Sequence, residues 1–307
     1  MGWCGVSDAD RTVSPSQLAT YVECPRRYEY QHDQGIESPP DGERYKNRGI
    51  AYHETIAAVC DDASDGDRKE DILERAREAF EETWSSECSP EDYKTRSHYE
   101  YDRKLTRSGI EAYFEDGPGV DHARGSLATE LTVQTEYKRT HVSGRIDNVV
   151  KTDEGLALID YKGNLRNIIT SRTSKHLGNH LDGEGYRPKL VRSAVQAAVY
   201  LEGIRETELY DEEMDVSFVY YGILDDYDTV STTDGVAPQV VGRGRDVTNV
   251  CMDNHGTIWQ LIREAYQGII AWNFEPEPWP EIYQSACDDC PYEEMCPDFL
   301  GEEVNVE

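Results

Sequence analysis

Three acids and one lysine in the middle of the chain have the types and spacing to hold a divalent cation. LATELTVQTEY, HVSGRIDNVV and LALIDYK are strand-like runs rich in Val, Ile, Leu and Thr, separated by short turns at Arg139-Thr140 and Asp153-Glu154-Gly155. With the second turn centred between Asp153 and Glu154, residues whose numbers sum to 307 face each other, which sets Asp147 opposite Asp160. Their Cβ atoms would then lie roughly 5 Å apart. Lys162 shares the face of Asp160 because strands have a period of two, and Tyr161 points to the other side. With the first turn centred at Arg139-Thr140, Thr132 falls opposite Asp147 and Glu130 shares its face. Carboxylates gathered on a half-buried face repel one another unless a cation sits between them, and hard oxygen donors favour Mg²⁺ or Mn²⁺. Such an ion activates water and polarises a phosphoryl oxygen. A lysine beside it orients the water or offsets phosphate charge. The competing reading is a solvated charged face in an acidic chain. One Asp alone fits that reading better; four such residues, one of them the lysine of LALIDYKG, favour a site.

A second group is sulfur. Cys287-x2-Cys290-x5-Cys296 stands near the end of the chain, and Cys24 stands far upstream in YVECPRRY. Four thiolates complete either a tetrahedral zinc or an iron–sulfur cluster, and spacing does not separate the two. The alternatives are four buried free thiols or a disulfide pair, the latter disfavoured in a reducing compartment. Such a site would staple the two ends of the chain, since the Pro- and Cys-rich stretch from Pro276 onward has no periodic packing pattern. Cys4, Cys60, Cys88 and Cys251 have no partner at ligand spacing and read as ordinary thiols.

A third group is basic. Between Gly163 and Arg192 the chain carries Arg166, Arg172, Lys175, Arg187, Lys189 and Arg192 against Asp182 and Glu184, a local net of +4 in a chain of net −30. Arg192, Gln196 and Tyr200 follow at i, i+4 and i+8 on one helix face. A guanidinium, an amide and an aromatic ring in line suit contacts to a single nucleic-acid strand. The plainer reading is a polar loop followed by a helix with a polar edge. Its Ser, Thr and Gly content leaves the segment little to pack, so it is expected to move without nucleic acid.

These residues need elements to position them. Ser14-Pro15-Ser16-Gln17 reads as a capped helix start, with Gln17 completing a capping box. Helices are expected over about 44–59, 69–84, 99–114, 190–205 and, as one long helix, 247–272; 37–43 is a loop and DVSFVYYGIL a further strand. No repeat or low-complexity segment interrupts them. With 307 residues, the pattern implies one elaborated α/β unit: a helical region (1–126), a central sheet region (127–275) and a cysteine-bearing segment (276–307). No window approaches ~18 consecutive apolar residues, so no membrane span is expected. MGWCGVSDADRTVSPSQL lacks the basic and apolar runs of a signal peptide, so a cytoplasmic location is expected. Sixty-one acids face thirty-one bases. On total charge alone nucleic acid looks excluded, but the acids are dispersed rather than gathered in a tail. Such a surface suits either a high-salt organism, where self-repulsion is screened, or an ordinary acidic cytosolic protein.

Gly144-Arg-Ile-Asp147 followed by Leu158-Ile-Asp160-Tyr161-Lys162 resembles the PD-(D/E)XK nuclease superfamily, and most closely the RecB-type nuclease domains and CRISPR-associated exonucleases. Gly49-Ile-Ala-Tyr-His53, Gln196-Ala-Ala-Val-Tyr200 and the four cysteines extend the resemblance from Ser14 to Pro297. The resemblance implies a restriction-endonuclease-like core: a mixed central sheet flanked by helices, with added N-terminal helices and a cysteine-ligated C-terminal segment. It implies that His53, Asp147, Asp160 and the Tyr161 backbone carbonyl bind Mg²⁺ or Mn²⁺, that Lys162 is catalytic, and that Glu130 binds a second metal or supports the first. It implies a 4Fe-4S cluster on Cys24, Cys287, Cys290 and Cys296. The activity implied is exonucleolytic or flap-trimming hydrolysis of single-stranded DNA ends in repair or recombination. The chain has no G-x-x-x-x-G-K-[ST] motif, so coupling to unwinding would need a helicase partner. The alternatives are a CRISPR-adaptation subunit, which the extra helices between Lys69 and Phe114 fit less well, and a non-catalytic DNA-binding module, which the intact Asp147, Asp160 and Lys162 speak against.

Overall fold

The structure, a computed structural model, describes residues 11–37, 43–232 and 235–304; Cys4 lies outside them. Helices α1 (Pro15–Glu23), α2 (Pro25–Tyr28), α3 (Glu43–Asp62), α4 (Lys69–Glu87), α5 (Arg96–Glu115) and α6 (Gly119–Gly125) precede strands β1 (Ser126–Tyr137), β2 (Thr140–Lys151) and β3 (Gly155–Lys162). Helices α7 (Lys175–Leu181) and α8 (Pro188–Gly203) lead to β4 (Asp215–Thr232) and β5 (Gly235–Asp246), then α9 (Thr248–Asp253), α10 (His255–Ile270), α11 (Trp279–Ile282) and α12 (Pro297–Val304).

The strands form one sheet in the order β1-β2-β3-β4-β5, antiparallel except for the parallel pair β3 and β4. A parallel pair needs a long crossover, and α7 and α8 supply it. One sheet face packs under α1, α8 and α10 through Val149, Leu158, Val195, Phe218 and Ile262; the other packs under α3 to α6 through Ile56, Phe80, Ile110, Ile159 and Tyr161. Helix α8 buries nearly its whole length because it carries Val191, Ala194, Val195, Ala198, Val199 and Leu201. Each full-size aliphatic side chain so buried contributes about 1.5–3 kcal/mol. The α1 start follows its sequence: Ser14 Oγ accepts from Gln17 N–H while Gln17 Oε1 accepts from Ser14 N–H.

The β2–β3 register is the expected one, with Asn148 facing Ile159 and Val149 facing Leu158. The β1–β2 register differs from expectation by two residues. Thr132 faces Arg145, not Asp147, and the pairs Thr129–Asn148 and Leu131–Ile146 bracket Glu130 and Asp147. The turn is made by Lys138 and Arg139, both at positive φ (50° and 65°). A tight two-residue hairpin turn needs that geometry, and Gly or Asn would normally announce it. Neither residue does so here.

Three further features differ from or add to the expected elements. The helix from residue 247 is two helices, because Asn254 leaves the helical path and caps Val250 O through its side chain at 2.8 Å. Strand β5 was not foreseen: Pro238, Gly242 and Gly244 interrupt its pattern. The segment after Lys162 is well packed, for Leu165, Ile169 and Leu177 are each no more than 2% exposed. Its backbone is tied by Leu165 N–H to Asp225 Oδ1 (2.8 Å) and Ile169 N–H to Ser193 Oγ (2.9 Å). Among the described residues, no helix is long and apolar enough to cross a membrane.

Candidate active site

The paired ends of β2 and β3 carry Asp147 and Asp160, and α3 and α8 close on them from opposite faces of the sheet. Ile146 and Val149 both belong to the core under α8, so the alternation of β2 breaks between them. The break lies opposite Glu130, whose φ is +50°. Such an irregularity re-aims side chains, and here it gathers three ligand-type groups: His53, Glu130 and Asp147 each offer one donor atom, all within 4.8 Å of one another. Gly144 is needed for a different reason. A Cβ there would stand 2.4 Å from the Tyr200 ring and 3.0 Å from Pro15, so only glycine lets α8 and the start of α1 close on β2.

Asp147 Oδ2 is 3.2 Å from His53 Nδ1 and accepts the Tyr161 backbone N–H at 2.8 Å. Asp160 is 1% exposed. Its Oδ1 lies 2.6 Å from Lys162 Nζ, and its Oδ2 accepts from Gln196 Nε2 at 2.6 Å. Lys162 Nζ also donates to Gln196 Oε1 at 3.2 Å. One amide thus holds both the acid and the ammonium. The Tyr161 ring points away, as expected, bonding Tyr113 Oη (2.9 Å) in the opposite core. Glu130 pairs with Arg145, which the sequence reading did not single out; its only signal was its place beside Gly144.

The electrostatics are those of an acid cluster short of positive charge. Burial pushes Asp160 up, Lys162 pulls it down and Asp147 pushes it up again, leaving it at about 6. Burial and the Asp147 charge also raise Glu130. Burial would raise Asp147 too, but His53, Lys162 and the Tyr161 N–H together hold it below the usual carboxylate range. His53 is lowered by burial and raised more strongly by Asp147 and Asp160, for a net rise. Asp160 Oδ1 and Glu130 Oε2 are buried and touch cations, yet neither receives an aligned hydrogen bond. Oxygen and imidazole donors with spare lone pairs and excess negative charge suit a hard divalent cation. For an ion to bind both Asp147 and Asp160 Oδ1, the Lys162 ammonium must give way.

Cys24, between α1 and α2, lines one pocket with Cys287, Cys290 and Cys296. All four are free thiols, three buried and Cys290 half-buried. Burial first, and then neighbouring thiols, push Cys24 to about 11 and Cys287 to about 12. An all-sulfur donor set suits a thiophilic metal or cluster, and Arg26 and Arg27 in the pocket wall would offset thiolate charge. Cys60, Cys88 and Cys251 are buried elsewhere; Cys60 accepts from Asn148 Nδ2 at 3.3 Å.

Of the basic residues, Lys189 and Arg192 line a hollow with Lys162, Arg166 and Arg187 line an adjoining one, and Arg172 and Lys175 are exposed and line none of these. Gln196 and Tyr200 belong to the floor of the site. Tyr200 is 5% exposed, and the Gln196 amide is taken up by Asp160 and Lys162.

No curated protein matches the chain significantly. A solved structure described as "Crystal structure of SSO0001" is 16% identical and aligns over 97% of this chain and 91% of that one, with a TM-score of 0.32. The profile of one family matches residues 12–297. A match over that span makes this protein a member of the PD-(D/E)XK nuclease superfamily, whose hydrolases work with divalent metals such as Mg²⁺ or Mn²⁺.

Proposed function

We propose that the chain is a metal-dependent deoxyribonuclease that trims single-stranded DNA ends, as an exonuclease or flap nuclease, in repair or recombination. The observation that carries this reading is that Asp147, which touches His53, and Lys162, which touches Asp160, line one hollow together with Arg145 and Arg192. His53, Asp147, Asp160 and the Tyr161 main-chain carbonyl would hold the metal, with Glu130 as a further acid. The ion supplies activation of water and neutralisation of phosphate charge. Lys162 keeps its ammonium against Asp160 and turns it to the scissile phosphate when the acids are otherwise satisfied. Gln196 positions both partners. Arg192 and Arg145 line the same hollow, within the reach of a phosphate lodged there.

The four-thiol pocket supports a 4Fe-4S cluster on Cys24, Cys287, Cys290 and Cys296, clamping the C-terminal segment to the start of the chain. The dispersed acidic surface fits work at high salt. The test of the reading is purified protein with Mn²⁺ and end-labelled single strands, beside the same reaction in chelator. Shortening from an end only with metal is expected; intact strands under both conditions overturn the reading.

Gln196→Ala offers a sharper check. Groups that orient ligands typically contribute 10–100-fold to metal affinity or activity. This variant is expected to lose about that much turnover and to need more Mn²⁺ for half-maximal rate. Unchanged metal dependence would remove Gln196 from the site.

A further inference from the structure

We propose that the DNA strand lies in one continuous trough that crosses the acids, follows α8 to β5, and has the cysteine-bearing segment as its outer wall; this rests on the nuclease reading above. Four hollows join end to end through shared walls. The hollow at the acids shares Lys162, Arg192 and Gln196 with a second, and the second shares Asn167, Ile168 and Lys189 with a third of about 1230 Å³. On the other side Arg145 and Asp147 are shared with a hollow against α3, where Tyr45 and Lys46 reach the surface.

The charge along this path runs against that of the chain. Nine Lys or Arg and six Asp or Glu line the first three hollows, whereas the whole sequence has 31 and 61. Arg166, Arg187 and Arg192 are exposed and have no ion-pair partner among the described residues, although acids outnumber bases two to one. Guanidinium groups left unpaired along adjoining hollows attract a polyanion.

Arg27, Arg243 and Arg245 join this path from outside the basic 163–192 segment. Arg243 is 56% exposed on β5, 3.3 Å from Asp226 and 3.6 Å from Asp225. Such a rim pair is weak in water, so a phosphate can displace it. Arg245 acts through others: its Nη1 donates to Leu165 O at 2.7 Å and Ile168 O at 3.2 Å, fixing the loop that carries Arg166. Glu281, Gln284, Ser285 and Asp289 form the outer wall, and Lys189 Nζ to Asp289 Oδ2 at 2.7 Å joins that wall to α8. Hollows in series with arginines along them suit successive nucleotides of one strand.

The test compares anaerobically purified full-length wild type with the Arg187→Ala/Arg243→Ala variant, using fluorescent oligothymidylates of about 4 and about 16 nucleotides, the span of common single-strand sites. Wild type is expected to bind the longer strand more tightly. The variant is expected to lose most of that preference, and its slope of log K against log salt should fall by about 1.4, two phosphates at about 0.7 each. An unchanged slope, equal binding of both lengths by wild type, or equal binding of a duplex of the longer length overturns the trough. Manganese-dependent cleavage of the short strand reports on the nuclease reading separately. Cleavage without a length preference removes the trough alone; no cleavage of either length overturns the nuclease reading and the trough with it.

Discussion

Exchanging Lys162 for Met is expected to abolish hydrolysis while sparing manganese binding. The ammonium lies 2.6 Å from Asp160 Oδ1, and that carboxylate is 1% exposed. In the resting protein Lys162 therefore neutralises an acid that has little water to help it. In the proposed reaction that charge would meet the phosphate, and loss of one such preorganised donor typically costs on the order of 10²–10³ in kcat. Binding of the ion should respond differently. A dication and the ammonium compete for Oδ1, and Met keeps the stem volume without the charge, so Mn²⁺ affinity should hold or rise. Asp147→Asn should lose both binding and turnover, because it removes a ligand rather than a competitor. Single-turnover cleavage beside calorimetric Mn²⁺ titration separates the two behaviours. A Lys162→Met protein that still cleaves at a near-normal rate, or that no longer binds Mn²⁺, contradicts the assigned role.

The second large effect concerns the thiol pocket. Cys287→Ser with Cys290→Ser is expected to remove iron and visible colour, and to loosen the C-terminal segment from the rest of the chain. From residue 276 on, that segment has short helical pieces and few buried anchors, among them Ile282, Ala286 and Tyr292. The ion pairs of Arg26 with Asp298 (2.9 Å) and Glu275 (3.5 Å) add a partly exposed tie of modest strength. Loss of a structural metal site belongs with the costliest single changes, above about 4 kcal/mol. In a chain of this size that corresponds to a fall in Tm of roughly 6 °C or more. Limited proteolysis should then release a fragment beginning near residue 276 while the sheet signal in circular dichroism persists. Retained iron, or an unaltered melt in the double variant, would show that these thiols do not hold the tether.

Much of the site was legible because it depends on short-range geometry. Asp153-Glu154-Gly155 makes a tight connection, so the pairing of Asp147 with Asp160 follows from counting, and the observed Asn148–Ile159 pair obeys the same sum of 307. Ser14 capping Gln17 is a three-residue event. What escaped notice depends on backbone states or distant partners. Lys138 and Arg139 adopt positive φ without Gly or Asn to announce it, which moved the β1 register by two and put Glu130 where Thr132 was expected. Gln196 stood out through its spacing with Arg192 and Tyr200 and through the Gln196–Tyr200 motif, but its bond to Asp160 spans 36 residues and follows from no local pattern. The Ser- and Gly-rich composition after Lys162 obscured Leu165, Ile169 and Leu177, which anchor that segment in the core. Arg145 was passed over because its partner Glu130 is brought near only by the shifted register.

In the proposed site Asp147 and Asp160, on adjacent strands, would hold one divalent ion, with His53 against Asp147 and Lys162 against Asp160. Anomalous diffraction from crystals soaked in manganese tests it most directly. One strong peak bridging the two carboxylates, with the Lys162 ammonium displaced from Asp160 Oδ1, is the predicted result. Full soaking with no peak there, while Lys162 stays locked on Asp160, would contradict it.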